Sequence, residues 1–223
     1  MGAPRVLGPR GSRGQNAADV TGHDTSSLSG SRPAPSALAG MRSSNLAAMD
    51  VHLAVASKRD SRAYSGADVP DGVARLILDA GRLVGSARNR QPCRFIVVEG
   101  EAVPSVADTV YLPGNVLDAG LVVVLVVSPG GNLVDFDAGR AAQSMMLAGW
   151  AEGVTSCPNG IADPDALARH LGIEPPERAV VVLSFGPPKK ARDPERRTPE
   201  EWSARAKRQP LDAVVSHVGA VHG

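Results

Sequence analysis

The sequence predicts a layered α+β domain. Three short β-branched runs, at 95–99, 121–128 and 179–185, read as strands, and at least four segments around them carry helical periodicity. Pro129-Gly130-Gly131 and Gly186-Pro187-Pro188 close two of the strands. At 223 residues the chain can form one domain with a sizeable core.

The elements follow in order. Residues 1–44 are rich in Gly, Ser, Pro, Ala and Arg without hydrophobic periodicity, and read as a disordered tail ahead of a folded body at 45–223. This tail has no apolar stretch of secretory type, and Met41 and Met49 both stand as alternative starts. Residues 45–57 read as a helix carrying Leu46, Val51, Leu53 and Val55, followed by the polar run Lys58-Arg59-Asp60-Ser61-Arg62. At 73–83, Val73, Leu76, Ile77, Ala80 and Leu83 fall on one helical face. The stretch 109–115 reads as irregular, with a turn at Pro113-Gly114. The continuous apolar run at 121–128 reads as a central strand covered on both faces. Residues 137–152 form a second long helix whose Ala and Gly content suits close packing or a subunit contact, with Met145-Met146 in the core or at a dimer contact. A short helix at 165–171 ends near Gly172, 200–207 reads as helical, and 210–217 forms the tail. Three strands make a lean sheet, so a further strand is expected from elsewhere, such as a partner's tail.

Composition excludes several classes. Residues 1–49 carry five Arg and two Asp, a charge of +3, while 50–223 carry nineteen basic and twenty-one acidic side chains, a charge of −2. A nearly neutral body argues against a nucleic-acid partner. The longest apolar run, 119–127, is far short of the ~20 residues of a membrane span. Cys93 and Cys157 are too few for a disulfide scaffold, read as small apolar fillers, and make a reducing, cytoplasmic setting the default. His23, His52, His170, His217 and His222 show no metal spacing. Neither Gly-x-Gly-x-x-Gly nor a nucleoside-triphosphate loop occurs, which disfavours a Rossmann domain and an ATPase. Asp135 and Asp137 read as caps of the long helix rather than as a catalytic carboxylate pair. Arg140 near the start of that helix opposes its dipole, so pairing with an acid or a partner subunit is expected.

The most informative stretch is 81–99. An amphipathic run ends in the small-residue turn Gly85-Ser86-Ala87, followed by Asn89, Gln91 and Pro92 and an apolar strand. Small residues let a flat ligand approach the backbone. Asn89 and Gln91 offer donors and acceptors suited to the pyrimidine edge of a heterocycle, and Pro92 directs the chain into an extended path. Separately, Lys58, Arg59, Ser61 and Arg62 combine guanidinium forks with a hydroxyl, which is what a phosphate monoester needs. A solvated charge run partly neutralised by Asp60 is the competing reading.

Taken together, these pieces resemble the flavin-dependent nitroreductase family, whose members begin with an Arg-x-Ser stretch and carry a Pro-Ser-x-x-Asn-x-Gln-Pro-Trp segment. Residues 85–93 look like that segment. Phe136-Asp137-Ala138-Gly139-Arg140 through Leu147 is similar to the family's long core helix, and 153–160 to its following strand and flavin-facing turn. Residues 171–187 and Arg208-Gln209-Pro210-Leu211-Asp212 look like its last strand and closing motif. The likeness runs from about residue 53 to 215.

This resemblance implies a nitroreductase-like fold, a central mixed sheet flanked by helices in an intertwined homodimer with FMN at the subunit interface. It implies that Arg59 and Ser61 bind the flavin phosphate, with Arg62 assisting and Arg208 closing from the C-terminal side. Gly85, Ser86, Ala87, Asn89 and Gln91 would contact the ring and ribityl chain, and Asn159 and Gly160 would border the reactive edge. It further implies NAD(P)H as donor and a small electron-poor acceptor such as a nitroaromatic or quinone, in ping-pong turnover. The departures are a Cys93 in place of the family's Trp, a short 99–121 region that implies a reduced lid, and two registers for the first motif. Anchoring on Ser61 selects Arg59 as the phosphate ligand, whereas anchoring on Tyr64 selects Lys58 with Arg62. These departures keep a non-catalytic flavin-binding member open as the alternative.

Overall fold

The computed structural model describes residues 49–219. The tail at 1–44 and the first residues of the expected helix at 45–57 lie outside the described residues. Helix α1 spans Val51–Ser57 and begins where Asp50 caps it, its carboxylate accepting from the Leu53 N–H at 3.0 Å. That cap sets the start later than the apolar pattern suggests.

Helix α2 (Asp71–Arg82) leads through a turn into β1 (Cys93–Val98). Two short helices follow, α3 (Ala102–Ala107) and α4 (Gly114–Leu117), then β2 (Leu121–Val127), α5 (Val134–Ala151), β3 (Thr155–Asn159), α6 (Pro164–Leu171), β4 (Arg178–Gly186), α7 (Pro199–Arg205) and α8 (Leu211–Val214). Asp163 caps α6 and Gly172 ends it at φ 61°. A capping box between Thr198 and Glu201 starts α7.

Among the described residues the sheet has four strands in the order β1-β2-β4-β3, antiparallel at each of the three pairings. The fourth strand is the chain's own β3, whose Cys-Pro-Asn sequence lacks the β-branched run that marks the others. The parallel component of the expected mixed sheet is a single bridge between Asp60 and Ser156. As expected of a central strand, β2 is buried on both faces. One face packs Val123, Leu125, Leu183 and Phe185 against Ile77 of α2 and Met145 of α5. The other packs Val122, Val124, Val126 and Val182 against Val106, Val116 and Leu167 from α3, α4 and α6. Among the described residues no helix is long and apolar enough to cross a membrane.

Helices α2 and α5 approach closely because Gly81 has no side chain: a Cβ there would lie 2.8 Å from the Met145 side chain and 2.8 Å from the Phe95 ring. This contact fixes the end of α2, and so the turn that follows it, against α5. Five residues further along α5, the Trp150 indole donates to Ser57 Oγ at 2.9 Å and holds the end of α1. Helix α7 folds back on α1. The long helix therefore anchors both the turn after α2 and the end of α1.

Candidate functional site

The first group is built where α1 stops. Lys58 leaves the helix in an extended conformation, and the next residues run beside β3, with the Ser61 N–H donating to Ser156 O at 3.0 Å. This path puts the Lys58 and Arg59 side chains in different surroundings. The Lys58 ammonium lies 2.5 Å from Asp60 Oδ1 and 3.3 Å from Met146 Sδ, with its side chain only 8% exposed. Its charge is answered internally.

Arg59 donates only to carbonyls: Nη1 to Ala56 O and Lys58 O, each at 2.7 Å, and Nη2 to Trp202 O of α7 at 2.9 Å. Among the described residues no carboxylate meets it there. Burial, then the positive charges of Arg208 and Arg192, lower the guanidinium's pKa from its ordinary value. Arg59 and Arg208 line one cavity of about 570 Å³ together with His52, Lys58, Asp60, Gln143 and Ser203. A pocket with cationic neighbours and this shortage of counter-charge is suited to an anionic group. Ser61 is buried and Arg62 is exposed, and neither lines this cavity. Tyr64 is also interior, its hydroxyl bonding Ser184 Oγ at 2.8 Å.

The second group is the turn after α2. Arg88, Asn89 and Gln91 adopt φ values of 55°, 53° and 50°, so three side-chain-bearing residues within four positions occupy the left-handed region. Such backbone persists only when its surroundings hold it. Here Ala87 N–H donates to Asp137 Oδ2 at 3.3 Å, Arg140 Nη1 donates to Gly85 O at 2.7 Å, and Gln91 N–H donates to Ser86 Oγ at 2.8 Å. Arg90 donates to Gly130 O at 2.6 Å. The amides of Asn89 and Gln91 are exposed at the surface. Ser86, Gln91, Cys93 and Asp137 line a cavity of about 950 Å³ between α2 and β1. Burial and the nearby Asp137 charge raise the Cys93 thiol pKa, and burial does the same for Cys157, so neither cysteine is a poised nucleophile.

Asp135 and Asp137 do not cap α5, whose N-cap is Leu133. Asp135 instead pairs with Arg178. Asp137, 4% exposed, braces the turn and sits 3.5 Å from Arg140 Nη1. The expected acid partner of Arg140 is therefore Asp137. Asp137→Ala leaves the Ala87 N–H without its acceptor, and a loss of about 1–3 kcal/mol is expected in urea unfolding. Asp137→Asn, which keeps a carbonyl acceptor, is expected to cost less.

The third group lies at the end of β3. The Asn159 amide is committed inside the protein: Nδ2 donates to Cys157 O and Val182 O, each at 3.1 Å, and to Ser184 Oγ at 3.0 Å, while Oδ1 accepts from Asn115 Nδ2 at 3.0 Å. Only its backbone is left for a ligand. Gly160 follows, with the Tyr111 ring against it. Asn115, Tyr111 and Gln143 are positions that sequence reasoning did not single out, and Asp137 reads from sequence only as a helix cap. Tyr111, one of two tyrosines, gave the clearest overlooked signal.

The sequence-selected residues do not converge in one cavity. Arg59 and Arg208 share one, and Ser86 and Gln91 share another. Gly85 lines a third, of about 710 Å³, with Leu83, Phe136, Gly139, Arg140 and Gln143. Gln143 also borders the Arg59 cavity, so the exposed side of α5 connects the first group to the turn.

A sequence model of the Nitroreductase family matches residues 55–112 and 116–187. An Archaeoglobus fulgidus protein bearing the provisional name NADH dehydrogenase/NAD(P)H nitroreductase is 30% identical over 149 residues, covering 61% of this chain and 84% of that one. Among solved structures, a nitroreductase family protein from Clostridium difficile 630 superposes with a TM-score of 0.65 at 22% identity, covering 77% of this chain and all of its own. A Desulfovibrio desulfuricans protein crystallised with FMN gives 0.65 at 23% identity, covering 77% and 99%. These structures establish the fold, and the match of the family model across more than half the sequence establishes the kinship: the chain belongs to the nitroreductase family.

Proposed function

We propose that the chain is an FMN-dependent oxidoreductase that takes electrons from NAD(P)H and delivers them to a small electron-poor acceptor. The observation that carries this reading is the Arg59–Arg208 cavity. Lys58 is neutralised by Asp60, whereas Arg59 and Arg208 face the same space without a carboxylate on Arg59. Two guanidinium groups on one cavity, with no carboxylate bonded to Arg59 among the described residues, fit a phosphate monoester dianion, and this favours the register anchored on Ser61, which selects Arg59. The braced turn supplies the complementary requirement, a small-residue surface flanked by exposed amides for a flat heterocycle. When bound, FMN supplies the two-electron redox chemistry, so no side chain need act as acid, base or nucleophile. The protein's work is to hold the phosphate through Arg59 and Arg208, orient the ring with the 85–91 turn, and offer backbone groups of Asn159 and Gly160 to its reactive edge. Donor and acceptor then take turns at one place, which gives ping-pong kinetics.

The reading includes a homodimer with the flavin at the subunit interface. The phosphate cavity and the turn are distinct within one chain. Between them lies the side of α5 with Phe136 62% exposed, beside Leu83 at 66%. A two-fold partner covering that side would bring its own turn toward the Arg59 cavity and bury both apolar side chains.

Complementation tests this arrangement. Arg59→Ala removes the phosphate half and Ala87→Trp blocks the ring half. If sites are shared between copies, mixed dimers contain one intact site each. Random pairing of equal amounts then restores about a quarter of wild-type flavin content and turnover. No recovery above either variant alone would contradict a shared site.

A further inference from the structure

Resting on the reading above, in which Gly160 borders the flavin's reactive edge, we infer that Tyr111 is the stacking platform for flat aromatic acceptors and so sets acceptor preference. Tyr111 is 72% exposed, in a chain that buries Tyr64, its other tyrosine. Its backbone is nevertheless fixed. The Tyr111 N–H donates to Gly160 O at 3.2 Å, Val110 bridges Ile161, and Thr109 O accepts from the Ala162 and Asp163 N–H groups at 2.7 and 3.1 Å. Thr109 Oγ1 in turn donates to Val106 O at 2.7 Å and ties the segment to α3.

The ring is seated as well as the backbone. A Cβ on Gly160 would stand 3.1 and 3.4 Å from Tyr111 Cδ2 and Cε2, and these are the contacts it would meet within 4 Å. Gly160 does not have a left-handed φ, so its backbone conformation does not demand glycine. What the missing side chain provides is room for the Tyr111 ring. One edge of an aromatic ring is thus held against the backbone while most of the ring is left to solvent. A preorganised, exposed aromatic surface beside a redox site favours planar substrates by offset stacking. The phenol hydroxyl adds a donor for a nitro or quinone oxygen. Leu112, which follows Tyr111, is also exposed and extends the apolar surface.

The test uses FMN-loaded full-length protein, photoreduced anaerobically with EDTA as the sacrificial electron donor so that the nicotinamide step is bypassed, and follows reoxidation by 4-nitrobenzoate, 1,4-benzoquinone or ferricyanide. For Tyr111→Leu, the half-saturating concentration of the two planar organic acceptors is expected to rise about 2- to 12-fold relative to that of ferricyanide. Tyr111→Phe is expected to keep the stacking and shift less. Gly160→Ala, which pushes the ring by a few tenths of an ångström, should move in the same direction as Tyr111→Leu. An equal shift for all three acceptors, or a weakened dimer in sedimentation with no change in selectivity, would overturn the role given to Tyr111. Failure to take up FMN would overturn the proposed function itself, and is read separately from the flavin spectrum.

Discussion

Arg59→Ala is expected to raise the dissociation constant for FMN by about 10- to 100-fold. Removing one partner of a charge-assisted hydrogen bond costs about 1.5–3 kcal/mol, and each 1.4 kcal/mol is tenfold. The effect should be specific to the phosphate. Riboflavin, which lacks it, is expected to bind wild type and variant with similar affinity, so the preference for FMN over riboflavin collapses. That comparison separates ligand contact from structure, because Arg59 also holds α7 through Trp202 O. A general loosening would weaken both ligands together. Arg59→Lys keeps the charge but loses the fork and should fall between the two. Isothermal titration of the flavin-free protein with each ligand gives the result directly. Lys58→Ala serves as the contrast: with its ammonium answered by Asp60, its loss should alter FMN affinity less than the loss of Arg59.

Gly120→Ala is expected to be the most damaging small substitution for the fold. A Cβ there would lie 2.4 Å from Ala67 O, 2.9 Å from Val69 N and 3.0 Å from Asp68 Cα, all backbone atoms that cannot rotate away. Gly120 also ties two segments together, its N–H donating to Phe185 O at 2.9 Å and its carbonyl accepting from Val69 N–H at 3.4 Å. One methyl group would separate the approach to α2 from the start of β2. A loss of about 3 kcal/mol is expected, with a drop in Tm of about 10 °C in a domain of this size. Gly81→Ala offers the instructive comparison. Its predicted clash is nearly as close, but falls on the flexible Met145 side chain and the Phe95 ring, so part of the strain can relax. A Tm for Gly120→Ala within 2 °C of wild type would contradict this role, since such a shift corresponds to less than about 1 kcal/mol.

The elements that were legible in the sequence are those in which one local pattern decides the structure. β2 reads as a covered strand because seven consecutive apolar residues leave no polar face, and α2 reads as a surface helix because Ile77 recurs in phase with its apolar neighbours. β3 has no such pattern. Its Thr-Ser-Cys-Pro-Asn sequence becomes a strand through pairing with β4, with Asn159 bonded across the end of the sheet. Helix α3 was hidden by Pro104, which sits in its first turn where a missing N–H does no harm. At the candidate site, residue types were legible but their electrical state was not. Nothing in Lys58-Arg59-Asp60 says that the lysine would be the one to take the aspartate. Asp137 read as a cap because caps are local, whereas its actual partner, Ala87, is fifty residues away in sequence. The same limit hid the commitment of the Asn159 amide, which depends on Asn115 and Ser184.

The central claim is that this cation-lined cavity and this braced turn hold a flavin that accepts electrons from a nicotinamide. Anaerobic mixing of the FMN-loaded protein with NADH, and separately with NADPH, tests it most directly. Bleaching of the flavin band near 450 nm by at least one donor, followed by its return on adding 4-nitrobenzoate or benzoquinone, is the predicted result. A protein that binds FMN tightly yet keeps its oxidised spectrum with both donors would contradict the claim.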